Sequence, residues 1–140
     1  MTIALDSNVF LAYLAQDEEF YTAARDIMQL LVESDTQAVC SSIVFSEIVY
    51  VTKEPESLLV VDAFFAKLTN CSDKPADKII CQKAAQLRQA YPPLKLPDAL
   101  HLATALIARA NKFITADKRL LLIAQREMTS IYLKDFHIND

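Results

Sequence analysis

Three observations predict an α/β protein built as a three-layer α/β/α sandwich with a central, mostly parallel sheet. Short apolar runs recur along the sequence, and each is followed by a longer stretch whose apolar residues keep helical spacing. Such alternation implies right-handed crossovers and helices on both faces of the sheet. The 53% hydrophobic content and mean hydropathy of +0.19 are high for a chain of 140 residues, as expected where strands are buried on both sides. No composition break divides the sequence, so one domain is expected over residues 1–140.

The elements follow in order. Ile3, Ala4 and Leu5 form an apolar run ending at Asp6, which suits a buried strand. A helix over 8–16 carries Val9, Phe10, Tyr13 and Leu14 at helical spacing. The next helix, over 17–32, has Phe20, Ala24, Ile27, Leu30 and Leu31 on one face. Asp17, Glu18 and Glu19 stand at its start, where the helix dipole favours acids. Residues 37–41 make the second strand, and Ser41 or Ser42 then caps a helix through Ile43, Val44, Glu47, Ile48 and Val51. A helix over 56–68 opened by Pro55 comes next, with a poorly marked strand at 68–71. The helix over 76–91 places Ile79, Ile80, Ala84 and Leu87 on one face and stops at Pro92 and Pro93. Pro97 opens a helix over 98–110, and Asn111 is expected to end it in the left-handed conformation. A strand at 113–115, a helix at 117–125 and a strand at 130–133 complete the series.

Composition excludes several functions. Gly is absent, so neither a Walker A loop nor a glycine-rich dinucleotide loop can be built. The net charge of −4 argues against tight non-specific nucleic-acid binding, although cations held by clustered acids would reverse the local sign. Cys40, Cys71 and Cys81 are far apart with no CxxC spacing, and are read as buried free thiols in a reducing compartment. The start, MTIALDSNVF, lacks the basic region and apolar core of a signal peptide. A cytoplasmic protein with no membrane span is expected.

The chemistry is expected at the carboxyl ends of the strands, where open parallel sheets bind ligands. Asp6 ends the first strand and Asp117 follows the strand FIT. Asp98 starts a helix after Pro97, and Glu47 sits early in the helix after the second strand. Two carboxylates about 4 Å apart repel by roughly 4 kcal/mol at an effective dielectric near 20. Hard divalent cations such as Mg²⁺ or Mn²⁺ relieve that repulsion. Such ions can activate water and steady the charge that builds on a phosphate oxygen. Each acid also has a blander explanation: Asp98 and Asp117 are well placed simply to begin helices.

The stretches LDSNVF, SEI, LPDALHLATAL and ITADKRL, in this order and at these spacings, resemble the PIN-domain family, in particular the VapC-like toxins. The resemblance runs from Ile3 to about Leu133, and PDALHLATA and TADKRL are its most specific parts. It implies a PIN-like nuclease domain with an acidic pocket for Mg²⁺ or Mn²⁺ and metal-dependent endonuclease action on RNA. By motif matching, Asp6, Glu47, Asp98 and Asp117 take the catalytic, metal-holding positions. Ser7, Asn8 and Thr115 would support them through hydrogen bonds that fix carboxylate rotamers. The family also implies a small antitoxin laid across the apolar helices of the first half, and homodimers. Two departures stand out. Asn111 replaces a common Gly, and Lys118 and Arg119 follow the last acid where some members have another, leaving one ion or two open.

Lys118 and Arg119, with Lys95 and Arg88, are candidate contacts to RNA phosphates. His101, three residues after Asp98, is read as a core or surface histidine in preference to a pocket contact. The leading expectation is thus an endoribonuclease toxin. The alternatives are a housekeeping RNA-processing nuclease and a catalytically silent binding module. A phosphoacceptor receiver would need an adjacent acidic pair, and a haloacid-dehalogenase-type phosphatase a second Asp two residues on; DSN provides neither.

Overall fold

The first apolar run of the chain becomes the central strand of the sheet. The computed structural model describes residues 1–52, 54 and 57–138. In chain order its elements are β1 (Thr2–Leu5), α1 (Ser7–Leu14), α2 (Tyr21–Glu33), β2 (Gln37–Ser41), α3 (Val44–Thr52) and α4 (Ser57–Lys67). Then come β3 (Cys71–Lys74), α5 (Lys78–Ala90), α6 (Leu96–Ile107), β4 (Lys112–Thr115), α7 (Lys118–Glu127), β5 (Ser130–Tyr132) and a single 3₁₀ turn, Leu133–Asp135. The strands lie in the order β3-β2-β1-β4-β5 and every neighbouring pair is parallel. Strand order reverses between β1 and β4, which makes their carboxyl ends the place where a crevice opens.

Strand side chains alternate between two cores, as the period of two requires. Ile3 and Leu5 of β1, Ala38 and Cys40 of β2 and Ile114 of β4 pack with Phe10, Ile27, Leu31, Val44 and Ile48 from α1, α2 and α3. Ala4, Val39 and Phe113 face the other way, against Ile80 and Leu87 of α5, Leu102 of α6 and Leu120 of α7. The three-layer sandwich follows directly. Each such fully buried large side chain contributes about 1.5–3 kcal/mol. No described helix is long and apolar enough to cross a membrane.

The structure shifts several expected boundaries, each for a local reason. Helix α2 starts at Tyr21 and not at 17, because the Asp17 carboxylate accepts from the amides of Glu19 and Phe20 at 2.9 and 3.0 Å and holds a turn there. The strand expected at 68–71 lies at Cys71–Lys74; Leu68 is instead a buried anchor at the end of α4. This edge strand exposes Ser72, Asp73 and Lys74, so it carries no apolar signal. The helix start expected at Pro55 and Glu56 lies outside the described residues.

Asn111 does not adopt the left-handed conformation. Arg109 does, at φ 54, and so does Gln16 after α1, at φ 52. At both ends a backbone amide bonds five residues back, Asp17 to Ala12 at 2.9 Å and Ala110 to Ala105 at 3.1 Å. Asn111 instead clamps β1: its amide donates to the Thr2 carbonyl at 2.7 Å, and its Oδ1 accepts from the Thr2 amide at 2.8 Å. All three cysteines are free, but only Cys40 is buried; Cys71 is half-buried and Cys81 exposed. A hydrogen bond with Cys71, followed by burial, pushes the Cys40 thiol up and keeps it protonated.

Candidate functional site

Asp6 follows β1 directly and caps α1. It is buried, at 2% exposure, yet three neighbours satisfy its carboxylate. The Ser7 amide donates to Oδ1 at 2.7 Å, and the Thr115 hydroxyl donates to Oδ2 at 2.7 Å. The Asn8 side-chain amide reaches Oδ2 at 3.1 Å, while its carbonyl accepts from the Ala116 amide at 3.0 Å. Asn8 therefore ties the end of β1 to the end of β4. Thr115 Oγ1 in turn accepts from the Asp117 amide at 3.0 Å. Ser7, Asn8 and Thr115, singled out from the sequence, all touch Asp6.

The other three acids stand at the starts of helices. Asp117 caps α7, accepting from the amides of Arg119 and Leu120 at 2.8 and 3.3 Å. Asp98 lies in the first turn of α6 and Glu47 in the first turn of α3. Four helix N-termini, with their partial positive charge, thus offset part of the repulsion among the carboxylates. Beginning a helix and facing the crevice are compatible here, so the blander explanation of Asp98 and Asp117 and the functional one do not compete.

His101 is a core histidine that also meets two of the acids. The ring is buried but belongs to the site: Nε2 lies 2.5 Å from Glu47 Oε1 and 3.6 Å from Asp6 Oδ1. Its position three residues after Asp98, one turn along the same helix face, was the available clue. Nδ1 is buried with no hydrogen-bond partner among the described residues.

The electrostatics show how tightly these groups are gathered. Burial raises the Asp6 carboxyl, against the opposing pull of His101 and of the Thr115 and Ser7 hydrogen bonds. Asp98 is pushed up to about 6, first by burial and then by the charges of Asp6 and Asp117, with a smaller push from Glu47. For His101, burial pulls down, but the Glu47 hydrogen bond and the charges of Asp6, Glu47 and Asp98 outweigh it and the net shift is upward. Asp98 therefore senses all three other acids. Among the described residues, however, no three His, Cys, Asp or Glu side chains stand in a ready-made metal-coordinating group.

Asp98 and Asp117 line one pocket of about 160 Å³ together with Pro93, Leu94, Lys95, Arg119, Leu120 and Ile123. Of the four basic candidates, Lys95 and Arg119 border it. Lys118 sits over the Tyr132 ring, 5.4 Å from its centre. Arg88 donates to the Leu94 carbonyl at 3.2 Å and so braces the loop before α6. A larger groove between α1, α2 and α4 is lined by Tyr13, Met28, Val32, Phe64 and Leu68, with Arg25, Glu33 and Lys67 at its polar margin.

A parallel sheet whose order reverses beside four helix-borne carboxylates defines an α/β protein with an acidic crevice at its switch point. The PIN domain family model matches residues 3–125, and the chain belongs to that family. No curated protein matches it in sequence. Solved structures share the fold. VapBC-1 from nontypeable Haemophilus influenzae aligns with a TM-score of 0.70 at 15% identity, covering 96% of this chain and 100% of that one. VapBC2 from Rickettsia felis, bound to a promoter DNA fragment, aligns at 0.69 and 16% identity, covering 94% and 98%. A toxin–antitoxin complex from Klebsiella pneumoniae aligns at 0.63 and 21% identity, covering 84% and 88%.

Proposed function

We propose that this chain is a metal-dependent endoribonuclease, the toxin of a type II toxin–antitoxin pair, whose site acids are Asp6, Glu47, Asp98 and Asp117. The observation that carries the reading is the gathering of four carboxylates from four distant segments around the β1–β4 switch point. Membership of the PIN family and the fold shared with toxin–antitoxin complexes support it.

The residues present suit a hard divalent cation, Mg²⁺ or Mn²⁺. The donors are carboxylate oxygens, and Asp98 is held up to about 6 by burial and by neighbouring charge that nothing fully balances. Asp6, Asp98, Asp117 and Glu47 would hold the ion. When bound, it supplies neutralisation of phosphate charge and acidification of water. The rest of the work falls to the chain. Ser7, Asn8 and Thr115 fix the Asp6 carboxylate in one orientation. Lys95 and Arg119, bordering the pocket, orient backbone phosphates of an RNA strand; Lys118 is a secondary contact. The antitoxin occupies the groove between α1, α2 and α4, and α4 adds the exposed Leu58, Leu59 and Val60 to its apolar surface.

The test is RNA cleavage by purified protein. Cleavage is expected only with added Mg²⁺ or Mn²⁺, and Asp6→Asn should lower it at least about 100-fold. Undiminished cutting in excess chelator, or by Asp6→Asn, would overturn the assignment.

A further inference from the structure

The four acids differ in how they are held. Asp6 is fixed by the Ser7 amide, the Thr115 hydroxyl and the Asn8 side chain. Asp117 is fixed by two backbone amides of α7. The Glu47 side chain is longer and about a third exposed, at 32%, and free rotation would carry its carboxylate away from the crevice. Among the described residues it has one hydrogen-bond partner, His101 Nε2 at 2.5 Å. An ionised carboxylate only accepts, so Nε2 is the donor. The same nitrogen lies 3.6 Å from Asp6 Oδ1, and it therefore stands between the Glu47 carboxylate on α3 and Asp6 after β1. Nδ1 has no partner, so the polar contacts that set the ring's orientation all come from the acid side.

We propose that His101 is a positioning residue whose Nε2 holds the Glu47 carboxylate against Asp6, so that Glu47 is presented to a divalent cation. It acts through Glu47 and touches neither substrate nor reacting atoms. Helix α6 thereby delivers one acid itself, Asp98, and orients a second that belongs to α3. This rests on the metal-binding reading above.

The experiment is a Mn²⁺ titration of the whole chain, followed by the unfolding midpoint and by the paramagnetic signal of free Mn²⁺, so that no turnover is required. His101→Met keeps an adaptable apolar filling and removes the donor. It should weaken Mn²⁺ binding roughly 10- to 100-fold, in line with the loss of a group that orients a metal-holding carboxylate. His101→Gln, which keeps an N–H of similar reach, should recover most of that affinity. In a Glu47→Gln background, His101→Met should add nothing further, because the two act as one unit. If His101→Met does not fold, His101→Asn, whose amide is too short to reach Glu47, must lose affinity in its place. Wild-type Mn²⁺ affinity in His101→Met overturns the proposal, as does equal loss in His101→Gln or additive loss with Glu47→Gln. A wild-type protein that gives no Mn²⁺ response overturns the metal reading itself and this role with it.

Discussion

At the scale of single residues, three groups in the crevice share one direction of shift: Asp6, Asp98 and His101 all hold their protons more tightly than in an unfolded chain. A folded state with raised values loses stability as pH rises, whether the group is an acid or a base. For Asp98 that contribution is fully present below 3.8 and lost as pH passes about 6. A divalent cation competes with the same protons. The Mn²⁺-induced rise in unfolding midpoint is therefore expected to be larger at pH 7.5 than at pH 5. Equal rises at the two values would mean that the ion does not discharge Asp98. The four candidate acids stand out in the sequence because each interrupts an apolar run or begins a helix. His101 is buried, as a core histidine is, but its contact with Glu47 was not legible, because a histidine on an apolar helix face reads as packing until the facing element is known. Glu47, the residue it meets on α3, lies 54 positions away.

At the scale of elements, a chain without glycine must end helices with other residues. Gln16 and Arg109 occupy left-handed positions where a side chain crowds the following carbonyl. Arg109→Gly should therefore stabilise the protein, by about 0.5–1 kcal/mol after glycine's own entropic cost. Urea denaturation measures this, and an unchanged or lower midpoint would show that the arginine stem contributes packing of its own. Periodicity located nearly every helix and strand, because buried faces dictate it. It failed at β3, an edge strand with charged, exposed residues, and at the start of α2, where the Asp17 side chain outcompetes the helix for backbone amides. Asn111 departs from the expected helix-ending role for a related reason. Its amide and carbonyl serve a long-range clamp on Thr2 that no local pattern announces.

At the scale of the whole molecule, one face of the sandwich remains strongly apolar outside the crevice. Leu59 on α4 is 75% exposed, and Val32 on α2, which lines a groove of about 350 Å³, is 72% exposed. Such a face suits the amphipathic helix of a small partner. Expression of the chain alone is expected to arrest growth, and co-expression with a small reading frame adjoining its gene, where that frame encodes the antitoxin, to relieve it. Leu59→Glu should abolish the relief while leaving RNA cleavage intact. Arrest that the neighbour relieves equally in Leu59→Glu would place the partner elsewhere. The fold class and sheet direction could be inferred from alternation alone, whereas the groove could not, since its walls come from helices separated in the sequence. The pairing of β1 with β4 has a further consequence. The hydroxyl that braces Asp6 belongs to Thr115, 109 positions later in the polypeptide. A ribosome that has made the first two thirds of the chain has made Asp6 and Glu47 but neither Asp98 nor this brace. The nascent protein thus carries an unfinished crevice past the translation machinery, and completes it only as its closing strands emerge.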